Sequence, residues 1–112
     1  MGKHPNDRLQ GTLDLLVLNS LASRGRMHGH GITVHIQSVA GDALRVEEGS
    51  LYPALHRMAQ EGWIRAEWSK SENNRRARYY EITDAGLQQL ATEQRRWEEL
   101  TGAVARVLEF AK

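Results

Sequence analysis

The 112-residue sequence contains no cysteine. That excludes disulfide bridges and cysteine-ligated zinc. No apolar run approaches the ~20 residues that a membrane-spanning helix needs, so no membrane partner is expected. The opening MGKHPNDR has no hydrophobic signal core, and with it goes the expectation of a cytoplasmic protein. An excess of one charge is missing too. Lys and Arg number 15 against 14 Asp and Glu, a net charge of +1. Any affinity for nucleic acid must therefore come from local clustering of basic side chains. Internal repeats and low-complexity stretches are absent.

Catalytic constellations are missing as well. No Ser/His/Asp or paired-carboxylate arrangement emerges, and Glu47 and Glu48 are adjacent, so their side chains diverge. Gly29-His30-Gly31 lacks the third glycine and the preceding strand of a dinucleotide fingerprint. His28, His30 and His35 include a His-x-His spacing, but no third ligand of cysteine or carboxylate type lies nearby in sequence. Histidines hydrogen-bonded at a turn and a helix start account for them better than a metal does. The expectation is a protein that is not an enzyme and holds no metal or cofactor.

What is present is ordinary for a folded domain: 26% charged and 40% hydrophobic residues. The length suits one small domain with a little to spare. Residues 1–8 are polar and read as a mobile tail. From Leu9 to Ala22 the leucines spread round more than one face, with Gly11 or Thr12 as a possible cap. Such a helix is buried on two sides; Leu13 and Leu16 are assigned to a second surface, the first sign of a dimer. Ser23-Arg24-Gly25-Arg26 reads as a turn. Ile32, Ile36 and Val39 follow at helical spacing and Gly41 closes the segment. Leu44-Arg45-Val46 reads as a short extended piece.

Ser50 to Glu61 reads as a helix around which the remainder is arranged. Ser50 is expected to cap it, and Pro53 to fall early enough to cost no hydrogen bond. Gly62 ends it. Leu51, Leu55, Met58 and Ala59 form its apolar stripe. Tyr52, Pro53, His56, Arg57 and Gln60 form the opposite face. The period then changes. Trp63 to Trp68 and Arg78 to Ile82 alternate, and the polar stretch between them carries Lys70, Asn73, Asn74, Arg75 and Arg76. This is a β-hairpin with a basic tip. Thr83 caps a last helix, in which Gly86 reads as a mild weakness. Leu87, Leu90, Trp97, Val104 and Leu108 make a seam along it. A helix that long exceeds what a small domain can cover. Leu90, Trp97, Val104 and Leu108 are therefore expected to meet a second chain.

Three helices followed by a two-stranded wing form the winged helix-turn-helix arrangement, mainly α with a small β component. In it the third helix docks in the major groove and the wing lies alongside. Residues 9–83 would form this unit and residues 84–112 a dimerising helix. Lys70, Asn74, Arg75 and Arg76, with Arg78 beside them, would meet phosphates or the minor groove. Arg57 is expected to read a base.

Three stretches, GTLDLLVLNSLASRGRMHGHGI, EEGSLYPALHRMAQEGWI and NNRRARYYEITDAG, resemble the PadR family of transcriptional regulators, in its short subfamily with one C-terminal helix. They span Gly11 to Gly86. The resemblance implies a homodimer on a palindromic double-stranded DNA operator, usually as a repressor, with C-terminal helices exchanged between subunits. It further implies that Tyr52 and its neighbours Ser50, Pro53, His56 and Arg57 face DNA. Relatives mostly carry an aromatic where this chain has His30, so a phosphate contact there would be altered or made pH-sensitive. Trp97, mid-seam, could bind a flat aromatic or cationic effector by stacking and cation–π contact. Two other readings stand beside a plain repressor: a sensor whose small-molecule ligand releases DNA, and a winged-helix module for protein partners. The clustered Lys70, Arg75 and Arg76 argue against the latter.

Overall fold

The structure is a computed structural model that describes residues 7–111. Met1–Asn6, most of the expected tail, lie outside the described residues. Helix α1 (Asp7–Arg24) begins before Gly11 and Thr12, so neither residue caps it. It buries Val17, Leu18 and Leu21, while Leu13, Leu15 and Leu16 are partly buried against the same core. Gly25 ends it at φ 83° and donates its N–H to the Leu21 carbonyl at 3.0 Å.

A two-residue strand, β1 (Met27–His28), follows. Helix α2 (Gly29–Ala40) is capped by His28, whose Nδ1 accepts the Gly31 N–H at 2.9 Å. Ile32 and Ile36 are buried, and Gly41 (φ 66°) closes the helix as expected. A single 3-10 turn (Gly41–Ala43) leads on. Leu44–Val46 forms no strand. The extra strand is instead β1, because its backbone meets the open edge of the wing and that of Leu44–Val46 does not.

Helix α3 (Glu48–Gln60) starts ahead of Ser50. The Ser50 and Leu51 N–H groups donate to the Glu47 carbonyl at 3.0 and 2.9 Å, and no side chain caps this end. Pro53 therefore sits a full turn inside the helix. Its missing N–H leaves the Gly49 carbonyl without its usual donor. Both expectations for the helix start are thus corrected. The other end is as read: Gly62 adopts φ 81°. Its N–H donates to Ala59 O at 3.1 Å and the Trp63 N–H to Met58 O at 3.0 Å, closing the helix with a left-handed residue.

Strands β2 (Ile64–Lys70) and β3 (Arg76–Ile82) pair antiparallel from Ile64↔Ile82 to Lys70↔Arg76. The strands run further than alternation suggested, so the turn shrinks to Ser71–Arg75. Asn74 takes φ 61° there, a backbone region that asparagine tolerates better than most residues. β1 pairs with β3 at Met27↔Tyr80 and His28↔Tyr79, giving the sheet order β1-β3-β2. Helix α4 (Asp84–Phe110) begins at Thr83, whose Oγ1 accepts the Gly86 N–H at 3.1 Å. Gly86 is no mere weakness: a Cβ there would run into the Trp63 carbonyl oxygen and the Ile82 side chain.

One core joins α1, α2, α3, the base of the hairpin and the start of α4. Leu90, assigned to the intermolecular seam, is 8% exposed and belongs to this core. The rest of α4, about 40 Å long in all, extends past it. The molecule measures 56 × 30 × 29 Å. Trp97, Leu100, Val104, Val107, Leu108 and Phe110 stand exposed on the projecting part. No described helix is long and apolar enough to cross a membrane.

Candidate nucleic-acid interface

The stripe Leu51–Ala54–Leu55–Met58 fixes which way α3 faces. Ser50, Tyr52, Pro53 and His56 are left on its exposed side. Tyr52 is 43% exposed. Its ring lies on Gly29: a Cβ at position 29 would stand 2.7 Å from Tyr52 Cε1. Absence of a side chain at the start of α2 is what lets α3 come this close. Burial, and secondarily the charge of Glu48, push the Tyr52 phenol above its usual pKa of 10.0. The hydroxyl therefore stays protonated and able to donate. No group among the described residues hydrogen-bonds it.

Arg57 leaves the set. Its Nη2 donates to Asp14 Oδ1 on α1 at 2.6 Å. The Asp14 side chain is only 8% exposed. Burial raises the Asp14 pKa, the hydrogen bond and charge of Arg57 pull it back, and Glu93 on α4 adds a further push upward. Arg57 Nε is buried without a partner among the described residues. A guanidinium engaged this way ties α3 to α1. The expectation that Arg57 reads a base placed it on the wrong side, because helical spacing alone cannot tell the flank of a face from its centre.

The hairpin carries a graded face. Ile64 and Ile82 pair at the base, then Ala66 and Tyr80, then Trp68 and Arg78, then Lys70 and Arg76 at the tip. Apolar residues anchor the base in the core and cations end the ribbon. Arg26 and Arg65 are neutralised by Glu67 at 3.0 Å and Glu81 at 3.6 Å. By contrast, no carboxylate among the described residues pairs with Lys70, Arg75, Arg76 or Arg78.

Between the wing on one side and the start of α2 with Tyr52 of α3 on the other lies a cleft of about 600 Å³, lined by His30, Tyr52, Trp68, Arg75, Arg76 and Arg78 among others. A second hollow of about 280 Å³, lined by His56 and Tyr80 among others, shares Tyr52, Trp68 and Arg78 with it. His30, Tyr52, Arg75 and Arg76 thus line one cleft, and His56 lines its neighbour. Ser50 and Pro53 lie on the same helix without lining it, and Lys70 and Asn74 sit at the wing tip. His30 is exposed, stacks on His28 at 6.3 Å and comes within 4.0 Å of Glu48. Sequence reasoning missed Trp68 as a site residue, though it did place Arg78 with the phosphate-binding cations. The signal was the register, which sets Trp68 opposite Arg78. Among the described residues no three His, Cys, Asp or Glu are grouped to hold a metal.

Comparison with known proteins bears on the family and the fold. The family model of the transcriptional regulator PadR-like family matches residues 17–92. The transcriptional regulator Rv3488 of Mycobacterium tuberculosis is 34% identical over 83 residues, 74% of this chain and 74% of that protein. A transcriptional regulator from Clostridium thermocellum superposes with a TM-score of 0.78 at 25% identity, covering 89% of this chain and 96% of the other. A PadR family transcriptional regulator from Eggerthella lenta gives a TM-score of 0.72 at 31% identity over 91% and 87% of the two chains. With its three helices, its wing and its long last helix, this chain belongs to the PadR-like family of transcriptional regulators.

Proposed function

We propose that the protein is a sequence-specific repressor that binds a palindromic DNA operator as a homodimer. Residues 9–83 serve as the DNA-binding unit and residues 84–112 as the dimerising helix. The observation that carries this reading is the set of uncompensated cations on the wing, Arg75, Arg76 and Arg78, which line an open cleft with Tyr52. Cations left without carboxylates suit phosphates, whose contacts release counterions. Selection of bound DNA from a random pool tests it. A palindromic consensus supports it, and recovery of unrelated sequences overturns it.

Assembly follows from α4. A row of exposed apolar residues on a projecting helix is costly in water. In this reading Trp97, Val104 and Leu108 pair with a second copy, and Leu13 and Leu16 supply the adjoining surface. Folding and dimerisation are then one equilibrium, so the melting temperature rises with protein concentration. Sedimentation at micromolar concentration should give a dimer; a folded monomer there would remove this part. A second reading adds a small aromatic or cationic effector in the seam. It is favoured by Trp97, 45% exposed where two copies would meet.

Tyr52→Phe separates contact from packing. The ring stays on Gly29, so the melting temperature should hardly change. Loss of a hydrogen bond to a charged phosphate oxygen should weaken operator binding by about 1.5–3 kcal/mol per site. A lower melting temperature with unchanged affinity would take Tyr52 off the contact list.

A further inference from the structure

We infer that Trp68 positions Arg76 and Arg78 on the wing, so that Arg78 grips a phosphate of the DNA strand passing between α3 and the wing. This rests on the DNA-binding reading above. A helix in the major groove and a wing in the adjoining minor groove are separated on the duplex by a single phosphodiester ridge. A protein that carries both must leave a trough for that ridge. The hollow bounded by Tyr52, Trp68 and Arg78 is such a trough. Its lining suits a polyanion: three arginines without carboxylate partners against one carboxylate, Glu72.

Trp68 is the feature that DNA docking of α3 does not by itself explain. It is 54% exposed, although a large indole at the solvent end of a strand gains little from water. Its ring carries two guanidinium groups, Arg76 Cζ at 5.1 Å and Arg78 Cζ at 5.9 Å. A free arginine loses side-chain freedom when it grips a phosphate. One already held on an aromatic face has lost part of that freedom beforehand, and its planar fork remains free at the edge to bind two oxygens. Arg75, at the turn, has no ring contact among the described residues. The wing thus holds two kinds of cation: Arg76 and Arg78 held in place, and Arg75 free.

The test uses the full-length protein and operator DNA obtained by selection with the wild type. If the wild type selects no DNA, the underlying reading fails. If it does, affinity is measured against salt for each variant, with melting curves alongside. Arg78→Ala should flatten the slope of log K against log salt by about 0.9 per lost phosphate contact, about 1.8 for two subunits. Trp68→Ala removes no charge, so it should lower affinity at every salt concentration with the slope near the wild-type value. Trp68→Phe, which keeps a ring, should restore most of the affinity. With Arg76 and Arg78 both replaced by alanine, adding Trp68→Ala should change affinity by less than about twofold. Adding it to Arg75→Ala should have its full effect. An affinity unchanged in Trp68→Ala, or a full effect persisting without Arg76 and Arg78, overturns the positioning role. Ethylation interference reads the ridge itself. The phosphates between the contacted major and minor grooves should block wild-type binding when ethylated, and Arg78→Ala should lose sensitivity at one of them per half-site. An unchanged pattern in Arg78→Ala overturns the assignment, and this arm stands even if Trp68→Ala fails to fold.

Discussion

Gly86→Ala is expected to destabilise the protein by about 3 kcal/mol, the upper part of the usual range for forcing atoms into a filled site. From helix propensity alone the substitution should stabilise by about 0.5–1 kcal/mol, because alanine is the better helix former. The two arguments differ in sign, so one measurement decides. The new Cβ would meet the Trp63 carbonyl oxygen and the Ile82 side chain. Neither yields cheaply. Trp63 O accepts the Thr83 N–H at 3.0 Å, and the Thr83 hydroxyl in turn donates to Gly62 O at 2.6 Å. Moving α4 outward would break both bonds and withdraw Leu90 from the core. Urea unfolding at one fixed protein concentration gives the answer. Equal or greater stability in the variant would mean that α4 does not lie this close to the start of β2.

Arg57→Ala is expected to cost about 3 kcal/mol near neutral pH, the upper end of the cost of leaving a buried polar group unsatisfied, the pair being buried on the Asp14 side only. The reason is what it leaves behind, an Asp14 carboxylate enclosed beside Glu93 with no cation. Burial already raises the Asp14 pKa above its usual 3.8, and Arg57 is the group that draws it down. In the variant it rises further. A carboxyl whose folded-state pKa exceeds its unfolded value favours folding while protonated. That contribution is fully present below 3.8 and is lost as pH rises through the folded-state pKa. The deficit of the variant relative to wild type should therefore narrow on acidification. Unfolding curves at neutral and mildly acidic pH test this. Base preference, measured on the folded variant, should match the wild type. A variant of wild-type stability with relaxed preference at one base pair would restore Arg57 as a reader and remove the ion pair as its main role.

Arg57 also marks where sequence reading stops. Helical periodicity correctly separated the buried stripe of α3 from its polar face. It could not see Asp14, which is 43 residues away in the chain and one hydrogen bond away in space. Pro53 and Ser50 failed for a nearer reason. Capping depends on where the first turn begins, and the Glu47 carbonyl began it earlier than the side-chain chemistry of Ser50 suggested. The third strand was illegible because two residues carry no alternation; Met27 and His28 become a strand only once β3 offers an edge.

Local signals determined a good deal by themselves. The leucine-rich first helix, the stripe on α3, the change of period at Trp63, the Thr83 cap and the left-handed glycines 41 and 62 all act within a few residues. Their consequences follow from backbone stereochemistry and amphipathic spacing. Together with the SLYPAL and YYEIT runs they pointed to the family that the comparisons then identified. Tertiary structure alone decided the rest. It drew Leu90 into the core, made Gly86 a steric necessity, and turned Arg57 inward to Asp14. It set Trp68 under two arginines at the mouth of a cleft. Each of these depends on distances between segments far apart in the chain, and such distances are fixed by packing the whole core, which no local pattern encodes.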